Sequence, residues 1–425
     1  MLRLLNSYES FFWLLGREEP FLIQYTLAIT GTLDEKWVTQ ALALLQQQHP
    51  LLNCSVTVER PFALKPTTLP VPLYLQDRTD DDDWRRQAIK ALEQPLPAAG
   101  DETFLRVDWL RGEKEHEFIF TIEHAFSDFR SVTGLCVDFM GFLDALQSGR
   151  RDIKLTYYPL LPAIEKMLPQ QMPPAKAAEL QVSYGDGTRV VLQPPYHYQL
   201  PHSNVLSNIQ SMAILHAAKA NQCSVQGVLC SAMMHTLDEY LQQRDMFSDT
   251  FCFTPSDFRP YLKAEIHSKE LGNFVTGIFH PFKTGRLPEF WPLARKITTQ
   301  LKCFFQDDKF VTDTKGLCSL YHPDMTSEQA VAIMKAREGC AFVSNAGVTP
   351  FLDKYDNFRL CRTHTLAASP MLSGREHLFW LGVQTINGRM QLELLDTAAQ
   401  DDHQKLERFM QHFLDTLKTE QALAT

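Results

Sequence analysis

The chain has 425 residues, with 41 Lys and Arg against 50 Asp and Glu and a formal net charge of -9. That length suits two compact units of roughly 200 residues each. The acidic balance, with no long basic run, argues against a nucleic-acid partner and leaves room only for a local basic patch around a cofactor phosphate.

The opening M-L-R-L-L-N-S-Y-E-S-F-F-W-L-L-G carries Glu9 inside its apolar cluster and has no small-residue cleavage pattern, so it does not read as a signal peptide. No apolar stretch approaches the roughly 18 residues of a membrane span. The nine cysteines, odd in number and without tight repeated pairing, point to a reducing cytoplasm. Cys223, Cys230 and His235 read as side chains of a buried helix rather than as metal ligands, so no metal is expected.

In chain order, residues 21–30 favour a strand, and a helix capped by Asp34 runs until Pro50 stops it. Another strand is expected over 51–58 and a short helix over 84–92. Residues 104–110 and 116–122 form a hairpin by pattern. A buried helix then covers 132–146, with Ser127 or Asp128 as its cap. A proline-rich crossover over about 165–204 divides the chain into 1–175 and 176–425. Two helices follow between Ser207 and Leu241, then strands over 250–255 and within 269–280. Helices are expected over 290–308 and 326–338. Strands at A-F-V-S-N-A-G, E-H-L-F-W-L-G-V-Q-T and R-M-Q-L-E-L-L-D precede a final helix over 402–419. Strands and helices mix in both halves, which makes the fold class α/β, in two layered units.

The candidate chemistry centres on T-I-E-H-A-F-S-D-F-R-S, residues 121–131. A neutral histidine accepts a proton from an alcohol, amine or thiol and returns it to a leaving group, so His124 alone meets the need when the acyl donor is already activated. Asp128 either orients that ring or holds the turn. Asp257 and Arg259 in S-D-F-R-P form a compact pair, and the guanidinium has the shape to brace a distant carboxylate such as Asp128. Asn273 and Asn345 can donate to an acyl oxygen or simply fill turns.

Taken in order, H-P-L-L at 49–52, H-A-F-S-D at 124–128, D-F-R-P at 257–260, L-G-N-F at 271–274 and V-S-N-A-G at 343–347 resemble the condensation-domain and acyl-CoA-dependent acyltransferase superfamily. Stand-alone alcohol acyltransferases of the phthiocerol dimycocerosyl transferase type are the nearest in look. The resemblance spans almost the whole chain and implies two chloramphenicol-acetyltransferase-like domains in a V, with a tunnel at their interface. His124 matches the motif's base, Asp128 its largely structural aspartate and Arg259 the aspartate's partner. Asn273 and Ser344 to Gly347 match segments near the tunnel.

Glu123 stands where many relatives have a first histidine, and Phe129 where glycine is usual. Phe129 is therefore expected to narrow the tunnel or alter the turn. The implied activity is acyl transfer to a hydroxyl from acyl-CoA or a phosphopantetheine-linked thioester, with no tightly bound cofactor. An acyl carrier protein is a potential partner, and a cytoplasmic monomer is expected. The alternatives are amide formation with an amine acceptor, and an inactive carrier-binding protein in which Phe129 fills the tunnel.

Overall fold

The computed structural model describes residues 3–96, 103–169, 197–246, 249–335, 341–352, 354–370, 378–398, 402–420 and 422. Two large sheets organise them. The first runs in the order Phe358–Ala368, Leu22–Gly31, Glu115–Glu123, Leu105–Arg111, Leu73–Asp77, antiparallel except at its last pair. Phe118 and Phe120 alternate with Ile119 along their strand and meet Phe139 of the helix Phe129–Gln147, at ring distances of 5.2 and 5.1 Å. The opposite face receives the helix Asp83–Glu93, where the buried Gln24 amide donates to the Ala88 carbonyl at 3.0 Å. Cover on both faces explains why almost every residue of the strand Glu115–Glu123 is buried.

The second sheet runs Val275–Lys283, Asp249–Asp257, Ala341–Val348, Phe379–Ile386, Arg389–Ala398, His197–Tyr198, and His202–Val205 also pairs with Arg389–Ala398. Its three central strands Asp249–Asp257, Ala341–Val348 and Phe379–Ile386 are parallel neighbours. One face carries Cys252, Val343, Phe379 and Leu381 into a core with Val228, Ile297, Phe409 and Phe413 of the covering helices. The alternate residues Phe342 and Trp380 join the other core, which contains the first sheet. Period-two alternation thus assigns each strand one face to the helices and one to the opposing lobe.

The lobes also exchange backbone. The strand Phe358–Ala368 follows the third strand of the second sheet, yet it pairs antiparallel along Leu22–Gly31. Buried polar contacts reinforce the seam: the Tyr25 hydroxyl donates to Gln384, and Gln384 donates to the Thr363 hydroxyl at 2.8 Å.

Several expectations need correction. The stretch 51–58 is a 3-10 turn, Pro50–Asn53, followed by a short strand, Cys54–Val56, because Pro50 opens a tight turn. The turn-then-strand reading of 269–280, by contrast, holds, with the strand running Val275–Lys283. Elements not anticipated include the helices Ser7–Glu18 and Lys309–Leu320 and the strands Leu73–Asp77, His202–Val205 and Phe358–Ala368. Glu9, which spoke against a signal peptide, completes a capping box with Asn6. The 175/176 division and the end of the helix expected to reach residue 338 lie outside the described residues.

Candidate functional site

The strand Glu115–Glu123 ends in a single 3-10 turn, His124–Phe126, and Asp128 starts the next helix as its N-cap. Asp128 Oδ1 accepts from the Ser131 amide at 2.9 Å, and Ser131 Oγ accepts from the Asp128 amide at 3.0 Å. The turn is thereby fixed at both ends. His124 stacks on Phe21, with centroids 4.4 Å apart and planes 12° from parallel. Its Nδ1 lies 2.8 Å from the Ser127 carbonyl. A carbonyl only accepts, so Nδ1 carries the proton and Nε2 keeps the lone pair of the neutral ring. Burial lowers the imidazole's pKa against the opposing pull of the Ser127 carbonyl and the Asp128 charge.

Asp128 is engaged elsewhere. Its carboxylate accepts from Arg259 Nη1 at 2.7 Å, Arg259 Nη2 at 3.1 Å and the Phe274 amide at 3.0 Å, in addition to Ser131. Side-chain exposures of 1% for Asp128 and 4% for Arg259 make this a buried, bidentate pair across the lobes. Burial alone would raise the Asp128 carboxyl, but Arg259 and the two amides hold it below the usual carboxylate range. Asp257 takes the Arg259 amide at 3.0 Å and Nη1 at 3.1 Å, and Arg130 approaches it at 3.0 Å from the helix that follows Asp128.

Asn273 reaches the same turn from the second lobe. Its amide donates to the His124 carbonyl at 2.9 Å, and its side-chain oxygen accepts from the Val275 amide at 3.2 Å. The Tyr8 hydroxyl completes the arrangement by donating to the Val275 carbonyl at 2.6 Å. Asn273 thus ties the histidine turn to the opposite sheet.

A cleft of about 1250 Å³, open space at its mouth included, lies between the lobes. His124, Asp128, Phe129, Asp257, Asn273, Ser344 and Asn345 all line it, which brings together most of the residues singled out in the sequence. Arg259 stands behind Asp128. Gly347 lies past the lining residues, at an irregularity in the strand Ala341–Val348, where its amide donates to the Asn345 side chain at 2.9 Å. Phe129 leans toward Trp380 at 5.9 Å and leaves the cleft open beside it.

Sequence reasoning missed Tyr8, Phe12 and Phe21 on the cleft wall. It also missed the partner of Glu123, whose carboxylate accepts from Arg17 at 2.7 Å while Arg17 lies over the Trp13 ring at 3.8 Å. Desolvation pushes Glu123 up to about 7 against the pull of Arg17. The N-x-x-E spacing of Asn6 and Glu9 was the available signal for the helix that carries Tyr8, Phe12 and Arg17.

Residues 200–395 match the family model for the phthiocerol/phthiodiolone dimycocerosyl transferase C-terminus. The whole chain is similar in structure to polyketide synthase associated protein 5 from Mycobacterium tuberculosis, at 14% identity and a TM-score of 0.67, covering 99% of this chain and 98% of that one. At that identity the likeness shows a shared fold. TRI3 trichothecene 15-O-acetyltransferase from Fusarium sporotrichioides superposes with a TM-score of 0.72 at 12% identity, over 100% of this chain and 95% of that one. The first condensation domain of the CDA synthetase superposes at 0.68 and 15% identity, over 100% and 98%. No curated protein sequence matches the chain. The two large sheets with helices packed on them fit the two-lobed α/β fold of those structures, as the resemblance implied. Among the described residues, no helix is long and apolar enough to cross a membrane, and no group of histidine, cysteine and carboxylate side chains is placed to hold a metal.

Proposed function

We propose that the chain is an acyltransferase that moves an acyl group from a CoA or carrier-protein thioester to a hydroxyl acceptor. The observation that carries this reading is the His124 ring in the cleft, its Nδ1 proton committed to the Ser127 carbonyl and Nε2 left as a proton acceptor. As the acceptor oxygen attacks the thioester carbonyl, His124 Nε2 takes the hydroxyl proton. The tetrahedral intermediate collapses with cleavage of the C–S bond, and the imidazolium returns the proton to the departing sulfur. No cofactor or metal enters the balance.

Asp128 acts through position. Its oxygens are shared among Arg259, Ser131 and Phe274, so it fixes the turn that aims His124 and does not relay a proton. Phe129 and Asn345 contact the substrate, with Ser344 beside them. The open cleft next to Phe129 supports catalysis over an inactive carrier-binding role.

The test is intact-mass detection of products from a panel of acyl thioesters with alcohols and amines, using His124→Ala as control. An ester that appears with the native chain and falls by at least about a thousandfold in the variant supports the assignment. Unchanged turnover in His124→Ala refutes the base, and exclusive amide formation replaces the hydroxyl acceptor with an amine.

A further inference from the structure

The apolar wall of the cleft comes from four neighbouring strands of the second sheet. Phe279 is registered with Phe253, Phe253 with Phe342, and Phe342 with Trp380. Registered residues point to the same side of a sheet, and all four of these side chains line the cleft. They form one aromatic row running across the strands. Phe253 and Phe279 are 4.7 Å apart with their planes at 45°, and Phe253 and Phe342 are 5.4 Å apart at 61°. Rings tilted this way make a furrow of edges and faces, not a flat panel for stacking.

Two glycines let the rings lie low. A Cβ at Gly277 would fall 2.2 Å from Cζ of Phe253, and one at Gly382 would fall 2.3 Å from Cη2 of Trp380. Each ring occupies the place of the missing side chain, which keeps it down along the sheet and the furrow free. The Trp380 end approaches Phe129, the residue after Asp128, so the row starts near the histidine turn and leads away toward Phe279.

We propose that this row seats an extended alkyl chain of medium length on one of the two substrates, and that Phe279, Phe253, Phe342 and Trp380 set a chain-length preference. Three strand spacings give the row a length of about 14 Å, the reach of roughly ten methylenes in extended form. The assignment of the chain to a substrate rests on the acyl-transfer reading; the seat itself rests on the row. Carbons beyond the tenth pass Phe279 and gain nothing further from it.

The experiment is calorimetric titration of the full chain with straight alkan-1-ols of four to sixteen carbons, in parallel with Phe342→Asn, Gly382→Ala and His124→Ala. Affinity is expected to rise about fourfold per methylene up to about ten carbons and then level off. His124→Ala keeps that profile. Phe342→Asn ends the rise before the middle of the row, and Gly382→Ala, which forces the Trp380 ring upward, weakens the longer alcohols by about tenfold. Far-UV circular dichroism establishes that each variant is folded, and Gly382→Ala serves if Phe342→Asn is not. Absence of chain-length dependence in the native chain overturns the proposal, as does an unaltered profile in the folded row variants. Chain-dependent binding without product in the thioester panel refutes the transfer reading and leaves the row standing. Equal turnover of acetyl and decanoyl donors without alkanol dependence does the reverse.

Discussion

Replacing Asp128 with alanine removes the acceptor of five hydrogen bonds: two from Arg259, two from Ser131 and one from the Phe274 amide. Breaking a buried ion pair from one side costs about 3–5 kcal/mol, because the surviving charge stays desolvated. Loss of the helix N-cap costs about 1 kcal/mol, part of which is already counted in the Ser131 contacts. Asp257, 3.1 Å from Arg259 Nη1, retains some compensation and pulls the sum down. The expected loss is therefore about 3–4 kcal/mol. Urea unfolding followed by tryptophan fluorescence and circular dichroism measures it. A double variant, Asp128→Ala with Arg259→Met, should recover about 2 kcal/mol, since the orphaned charge is gone. A loss below about 1 kcal/mol for the single variant, with activity abolished, would refute the brace and restore a direct role beside His124.

Four further outcomes follow from the same geometry. Because burial depresses the pKa of His124, kcat/KM should be flat through neutral pH and fall only below the ordinary histidine value of about 6.5; a midpoint above that value contradicts the assignment. The same depression makes the unfolded chain take up the proton first, so this residue's contribution to stability drops as pH falls through about 6.5. Glu123 has the opposite sign: its raised value of about 7 means that stability is lost as pH rises from the unfolded carboxyl value toward neutrality. Glu123→Gln should flatten that slope in urea midpoints compared at pH 5 and pH 8, and an unchanged slope removes the argument. Phe129→Gly should raise turnover of branched or bulky substrates relative to linear ones by about tenfold, scored by competition between paired thioesters; an unaltered ratio shows that the ring does not restrict access.

The histidine turn was legible because its neighbours are local. The strands Leu105–Arg111 and Glu115–Glu123 are strand-prone runs on either side of a charged turn, and Asp128 sits where a cap is needed. Joining Asp128 to Arg259 took the order of motifs along the chain, since no periodicity links residues so far apart. The strand Phe358–Ala368 escaped notice because Arg359 and Arg362 interrupt its apolar pattern, and its burial comes from Leu22–Gly31 and the opposite lobe. The helix Lys309–Leu320 is rich in poor helix formers, including Val311, Thr312, Thr314 and Gly316, and owes its shape to packing against Ser7–Glu18. The aromatic row was invisible for a similar reason, since each strand contributes a single ring and only the register aligns them.

The exchanged strand also has a consequence for synthesis on the ribosome. Chains emerge amino end first, so Leu22–Gly31 is present long before Phe358–Ala368 exists to pair with it. Until then, the nascent first lobe exposes an open edge of unpaired backbone, the form most prone to join a wrong partner. Emergence of Phe358–Ala368, not synthesis of the first half, is the event that closes this sheet.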